Sequence, residues 1–141
     1  PLLLSGSIAN GGAVLAAQAM GADLAYIGSA FIATDEANAD QRYKEMITES
    51  SADDIVYTNL FTGVHGNYLK GSIEAQGLDP DNLEVSDSSK MNFSSGASKP
   101  KSWKEIWGSG QGISAVKSIM PAGELVKRIN NEYIEAKNKL I

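Results

Sequence analysis

LLLSGSIANGGAVLAAQAMGADLAYIGS, residues 2–29, spells out strand, glycine turn, helix, strand and second glycine turn in one short span. Leu2 to Leu4 form a continuous apolar run closed by Ser5-Gly6-Ser7, the pattern of a strand covered on both faces. Asn10 is placed to N-cap a helix whose apolar positions Val14, Leu15, Ala17 and Ala19 crowd together, and Gly21 stands where a left-handed C-terminal residue belongs. A second strand is expected over Asp23–Ile27, ended by Gly28-Ser29. Two strands joined by a helical crossover must run parallel and right-handed. Both glycine turns then lie at the carboxyl ends of their strands and face the same side of the sheet.

Outward from this unit, Thr34 or Asp35 is a candidate cap for a helix running to Ser50, with Tyr43, Met46 and Ile47 spaced i, i+3, i+4 between charged residues. Ile55 to Thr58 looks like a short strand, and residues 62–72, with Gly63, Gly66 and Gly71, look like loop. From Gly77 to Lys101 the composition turns to Asp, Asn, Ser, Pro and Lys, which predicts a long, weakly ordered surface excursion. Trp103 and Trp107 precede Gly108-Ser109-Gly110-Gln111-Gly112, and a closing helix from Pro121 carries Leu125, Ile129, Tyr133, Ala136 and Leu140 on one face. The expected organisation is an α/β segment at residues 1–50, a strand and long loop at 51–102, and a Gly-Gln-Gly loop with a C-terminal helix at 103–141. A chain that opens on a core strand without Met also raises the expectation that sequence precedes Pro1.

Composition narrows the function classes. A net charge of -5 and a pI near 4.8 argue against binding a phosphate backbone, which needs clustered Lys and Arg. No apolar run approaches the ~20 residues that span a bilayer, so neither nucleic acid nor membrane is an expected partner. Zero cysteines exclude disulfides, Cys-ligated metals and a thiol nucleophile, and fit a cytoplasmic location. The acidic pairs Asp35-Glu36 and Asp53-Asp54 read as capping and dipole residues, and with no second His or carboxylate cluster no metal site is expected.

The chemistry resides in the two turns. Backbone N–H groups from two glycine-bearing loops, helped by the helices that follow, can converge on one anion. In (β/α)8 barrels the loops after strands 7 and 8 hold a cofactor phosphate in this way. Gly6, Ser7, Gly28 and Ser29 are the candidates, with serine hydroxyls as extra donors. Spacing alone leaves the plain turn as the commoner explanation of a glycine at a strand end.

Residues 1–39 closely resemble the strand 7 to strand 8 segment of the nitronate monooxygenase family, whose usual form is an Ala-Gly-Gly-Ile turn, an Ala-rich helix ending Gly-Ala, and Gly-Thr-Arg-Phe. TGVHGNYLKGSIEAQGLDPDNL (62–83), Met91-Asn92-Phe93 and WKEIWGSGQGISAVKSIMPAGELVKRINNEY (103–133) resemble the same family's C-terminal region in the same order. The resemblance implies the C-terminal part of a (β/α)8 TIM-type barrel, with FMN as cofactor. It puts Gly6 and Ser7 at the family's Gly-Gly phosphate position and Gly28 and Ser29 at its Gly-Thr position. Ser7 in place of the second glycine calls for negative φ or a modest local adjustment. Ala30 stands where the family often has Arg, so any ion pair made by that Arg is absent.

The resemblance also implies that the catalytic histidine lies upstream of this segment, in a missing N-terminal half or a companion chain. His65, the sole histidine, is therefore not expected to be the base and reads as a surface or locally bonded loop residue. Gln111 has two readings: an amide offered to flavin or substrate from a closing loop, or a helix connection anchored by Trp103 and Trp107. Tyr68 and Lys70 are weaker candidates for the mouth of the site. The implied activity is oxidation of alkyl nitronates, such as propionate 3-nitronate, by O2 to a carbonyl compound and nitrite. An FMN-dependent NAD(P)H:quinone or enoyl-acyl-carrier-protein reductase is the alternative within the same superfamily, and a non-catalytic half-barrel that binds a phosphate ligand is the alternative outside it.

Overall fold

The computed structural model describes residues 1–86 and 105–140. The chain packs as two compact units, one made of Pro1–Ala52 with Gly110–Ile141 and one of Asp53–Ser109.

In the first unit, β1 (Leu3–Ser5) pairs parallel with β2 (Leu24–Tyr26) across the crossover helix α1 (Gly11–Ala19), with Leu3 opposite Leu24 and Ser5 opposite Tyr26. The Asn10 side chain accepts from the Ala13 N–H at 2.8 Å, capping α1, and Gly21 ends it at φ 93°. Strand alternation sorts the side chains. Leu4 and Ala25 point to the α1 side, where with Val14 and Ile27 they pack on buried Ile8, Ala17 and Ala22. Leu3 and Leu24 share the other face and are 50% and 55% exposed, which corrects the expectation of a strand covered on both faces. The reason is layering: among the described residues α1 covers one face of this two-stranded sheet and no element covers the other.

A single turn α2 (Ser29–Ile32) follows β2, and α3 spans Gln41–Glu49. The cap of α3 is Asp40, whose carboxylate accepts from the Arg42 N–H at 2.9 Å, rather than Thr34 or Asp35. Those two residues are already engaged. Thr34 bridges Met120, its hydroxyl donates to the Phe31 carbonyl, and the Asp35 N–H donates to the Met120 carbonyl, which ties both residues to the Met120 strand-like contact instead of a helix start. Buried Lys44 donates to the carbonyls of Thr34 and Asp35 at 2.7 and 3.2 Å, holding this bend against α3.

With α4 spanning Lys70–Glu74 in the second unit, the C-terminal helix α5 spans Ala122–Lys139. Pro121 supplies the preset φ at its cap but no side-chain acceptor. Glu36 fills that role from outside, its carboxylate accepting from the Ala122 N–H at 2.8 Å. That bond, then the residue's own N–H, holds the Glu36 carboxyl below the ordinary glutamate range. Leu125 is the buried anchor of the helix, while Ile129, Tyr133 and Ala136 are half-buried; Leu140 lies past its end and is exposed. Burial of Leu125, with Ile47 of α3 and Ile113, contributes about 1.5–3 kcal/mol per side chain relative to exposure.

In the second unit a 3-10 turn, Ala52–Asp54, leads into β3 (Ile55–Thr58). The stretch expected to be loop at 62–72 instead forms β4 (Gly66–Leu69) and α4 (Lys70–Glu74), with β4 antiparallel to β3. Gly63, at φ 77°, makes the turn, whereas Gly66 sits in the ladder opposite Thr58. Pairing of Tyr68 and Leu69 with Val56 and Ile55 outweighs the glycine content, and Leu69 is fully buried. The expected excursion from Gly77 begins with an exposed segment whose Ser86 exchanges two hydrogen bonds with buried Asn59. Its remainder and Trp103 lie outside the described residues.

Candidate functional site

The two strand-end loops meet. Ser5 at the end of β1 with Gly6, Ser7, Ile8 and Ala9 after it, and Gly28 and Ser29 after β2, line one cavity of about 140 Å³ that also takes in Tyr26, Gly110 and Gly112. Parallel pairing of β1 with β2 places both loops at the same edge, and the crossover through α1 keeps them side by side.

Each loop residue does something specific. Gly6 has φ 103°, open to glycine without strain, and Ser7 follows at φ 55°. Of the two expectations for a serine here, negative φ or a modest local adjustment, the first does not hold. Two successive left-handed residues are what turn the chain sharply off β1, and Ser7 accepts the cost of its Cβ in that region, about 1–2 kcal/mol. Ser29 accepts the Gly110 N–H on its hydroxyl oxygen at 2.8 Å, which leaves the hydroxyl proton free to donate elsewhere. A Cβ on Gly112 would lie 2.8 Å from the Ser7 carbonyl carbon and 2.9 Å from its oxygen, so the backbone of the 110–112 segment rests directly on the first loop.

The N–H groups of Ser7, Gly28 and Ser29 have no hydrogen-bond acceptor among the described residues, while the parallel pairing of Ser5 with Tyr26 directs the Gly6 N–H at the Tyr26 carbonyl. Helix ends contribute less than the sequence suggested. The N–H of Gly11 at the start of α1 is taken by the Glu132 carboxylate at 2.9 Å, that of Ala13 by Asn10, and α2 is one turn long. The donors that remain for an anion are therefore those of the loops and, in the first turn of α1, the Gly12 N–H. No Lys or Arg lines the cavity, so a bound anion would be held by neutral backbone and hydroxyl donors, as in other concave backbone nests.

The other candidates fall elsewhere. Gln111 opens the 3-10 turn Gln111–Ala115, is exposed, and is not among the lining residues; its two flanking glycines are. Sequence reading weighed Gln111 for its amide, when the signal lay in the absence of side chains on either side of it. In the second unit, exposed His65 stacks on Tyr57 at 4.9 Å between ring centroids, Tyr68 meets Phe61 edge-on at 5.0 Å, and Lys70 pairs with Asp81 at 3.2 Å. Among the described residues no three His, Asp or Glu side chains gather as a metal-binding group, and no helix is long and apolar enough to cross a membrane.

Residues missed from sequence are Arg128 and Glu132 of α5, which reach Ala9 of the first loop and Gly11 at the start of α1. Their contacts span over a hundred residues of chain, and no local pattern announces them.

Comparison with known proteins places the chain in a family. The family model for nitronate monooxygenase matches residues 1–132, which include every residue lining the cavity. The chain belongs to the nitronate monooxygenase family. Among relatives, the nitronate monooxygenase of Paraburkholderia phytofirmans is 28% identical over 99% of this chain and 40% of its own length. A probable nitronate monooxygenase of Staphylococcus saprophyticus is 27% identical with the same coverage. Among solved structures, nitroalkane oxidase from Streptomyces ansochromogenes superposes on the whole chain with a TM-score of 0.70 at 29% identity, using 41% of that protein. A FabK variant from Thermotoga maritima gives a TM-score of 0.70 at 24% identity over 99% of this chain and 44% of its own, a likeness of fold. The chain thus spans about 40% of the length of the curated relatives it matches.

Proposed function

We propose that this chain supplies the FMN-phosphate end of a cytosolic (β/α)8 enzyme that oxidises alkyl nitronates, such as propionate 3-nitronate, with O2 to a carbonyl compound and nitrite. The observation that carries the reading is the set of three unengaged N–H groups, on Ser7, Gly28 and Ser29, around one small cavity that Gly6 also lines. A phosphate monoester fits that donor set: it offers several acceptor oxygens, and the Ser29 hydroxyl adds a further donor whose oxygen is already oriented by Gly110. Size supports the same division of labour. At about 140 Å³ the cavity is well below the roughly 300–1,000 Å³ of a complete ligand pocket, as suits a cradle for one end of a cofactor.

The glycines also fit a ligand. Gly28 has φ -105°, which any residue adopts, and a Cβ there would meet only the Tyr26 ring edge at 3.8 Å. Nothing in the chain demands glycine at this position, whereas a phosphate approaching the backbone would. Bound FMN would supply the electron transfer between the nitronate and O2, and the protein's part is to hold and orient it. In this reading Gly6, Ser7, Gly28 and Ser29 bind the phosphate, the 110–112 backbone closes the cradle, and the base comes from sequence before Pro1 or from a companion chain.

The test is nitrite release when the complete gene product, purified with its flavin, meets propionate 3-nitronate in air without NAD(P)H. Nitrite formation that tracks FMN content is the expected result. A yellow protein that yields no nitrite but is bleached rapidly by NADH would move the assignment to an FMN-dependent quinone or enoyl-acyl-carrier-protein reductase.

A further inference from the structure

α5 crosses the outer side of the cradle and holds both of its walls with one guanidinium. Arg128 Nη2 donates to the Ala9 carbonyl at 3.1 Å, and Ala9 lines the cavity. Arg128 Nη1 donates to the Ala115 carbonyl at 3.3 Å, at the end of the 3-10 turn that follows Gly110 and includes Gly112. Arg128 Nε lies 3.5 Å from Glu132 Oε1, an ionic contact one helical turn along, and Glu132 Oε2 accepts from the Gly11 N–H at 2.9 Å. The fit is close. Gly11 is buried, and a Cβ on it would fall 2.1 Å from the Tyr133 N and 2.2 Å from the Ile129 O, so the two helix backbones touch at this point.

We propose that Arg128 and Glu132 are positioning residues for the phosphate cradle, setting the separation between the loop after β1 and the 110–115 segment and thereby the affinity for the phosphate end of FMN. This rests on the FMN reading above. The planar fork of arginine suits this role because it holds two carbonyls from different segments at a fixed spacing, which a lysine ammonium on a flexible stem does not reproduce. Ala9 is 2% exposed, so its carbonyl has no recourse to water if Arg128 is shortened, and the loop must move to satisfy it. Glu132 adds a second effect. By occupying the Gly11 N–H it takes one first-turn donor of α1 away from a phosphate and leaves the anion chiefly to the donors of the loops.

The experiment measures binding of FMN and of riboflavin, which lacks the phosphate, to the apo form of the complete gene product and to its Arg128→Met, Arg128→Lys and Glu132→Gln variants, with thermal melting of each. Losing the two-carbonyl fork is expected to weaken FMN on the order of tenfold or more in Arg128→Met and Arg128→Lys, with riboflavin affinity within about twofold of the parent. Glu132→Gln keeps an acceptor for Gly11 and is expected to weaken FMN by a smaller factor. Equal losses for FMN and riboflavin, unchanged FMN binding in folded variants, or failure of all three variants to fold would overturn the proposal, because each assigns the pair a general structural role or none. A parent protein that binds no FMN would instead sink the functional reading on which the proposal rests.

Discussion

The two loops that line the cavity are shaped by opposite means. The loop after β1 is shaped by its own backbone, with Gly6 and Ser7 both left-handed, and is then clamped from outside by Gly112, Arg128 and Glu132. The loop after β2 has no left-handed residue, turns straight into α2, and is tied to the 110–112 segment by the Ser29 hydroxyl. A glycine is therefore not one kind of signal. Gly6 is explained by torsion, Gly112 by a neighbour's backbone and Gly28 by neither. Only the last points past the protein to a ligand.

The sharpest way to break the contrast is at Gly112. Its Cβ would strike the backbone of Ser7, which cannot yield as a flexible side chain would. Gly112→Ala is expected to cost about 1–3 kcal/mol or more of stability, the range of overpacked cores, and to lose FMN binding with it. A melting temperature and FMN affinity both equal to the parent's would show that the first loop is not held by the 110–112 segment.

Gly28→Ala separates the two loops more finely. With φ -105° and only an ordinary contact to Tyr26, the substitution fits the chain and is expected to leave stability unchanged or raise it by about 0.4–1 kcal/mol. FMN binding is expected to fall on the order of tenfold, from a methyl placed against the phosphate. Titration of apo protein with FMN beside a melting curve reads both quantities. A variant that gains stability and binds FMN as well as the parent would remove Gly28 from the cradle.

What was legible in the sequence follows the range of the interactions. The βαβ unit was legible because its signals are local: the apolar runs, Asn10 as cap, Gly21 as terminator and the two turns at strand ends. The same locality misled at residues 62–72, where glycine content concealed a strand that exists because Leu69 and Tyr68 find partners in β3. It misled again at Thr34 and Asp35, good caps by type that are taken up by Met120. Of the site, the four loop residues were readable as strand-end turns, helped greatly by family resemblance. Gly110 and Gly112 were noticed for the glutamine between them, and Arg128 and Glu132 looked like ordinary charges on a helix face, because what distinguishes them is a loop more than a hundred residues away.

Ser7 gives the gentlest test. It holds φ 55° with a side chain where the family usually has a second glycine, and the first loop keeps this shape while Gly112 and Arg128 brace it. Ser7→Gly relieves the left-handed penalty of about 1–2 kcal/mol but adds freedom to the unfolded chain worth about 0.5–1 kcal/mol. The net expectation is a gain of about 0–1.5 kcal/mol, seen as a small rise in melting temperature, with FMN affinity nearly unchanged because the donor at this position is the backbone N–H. A marked loss of FMN affinity would mean that the Ser7 hydroxyl itself reaches the phosphate, and the two loops would then be alike in using a serine side chain. A loss of stability would mean that Ser7 makes a contact worth more than its strain, and the brace from α5 would matter less than the residue it holds.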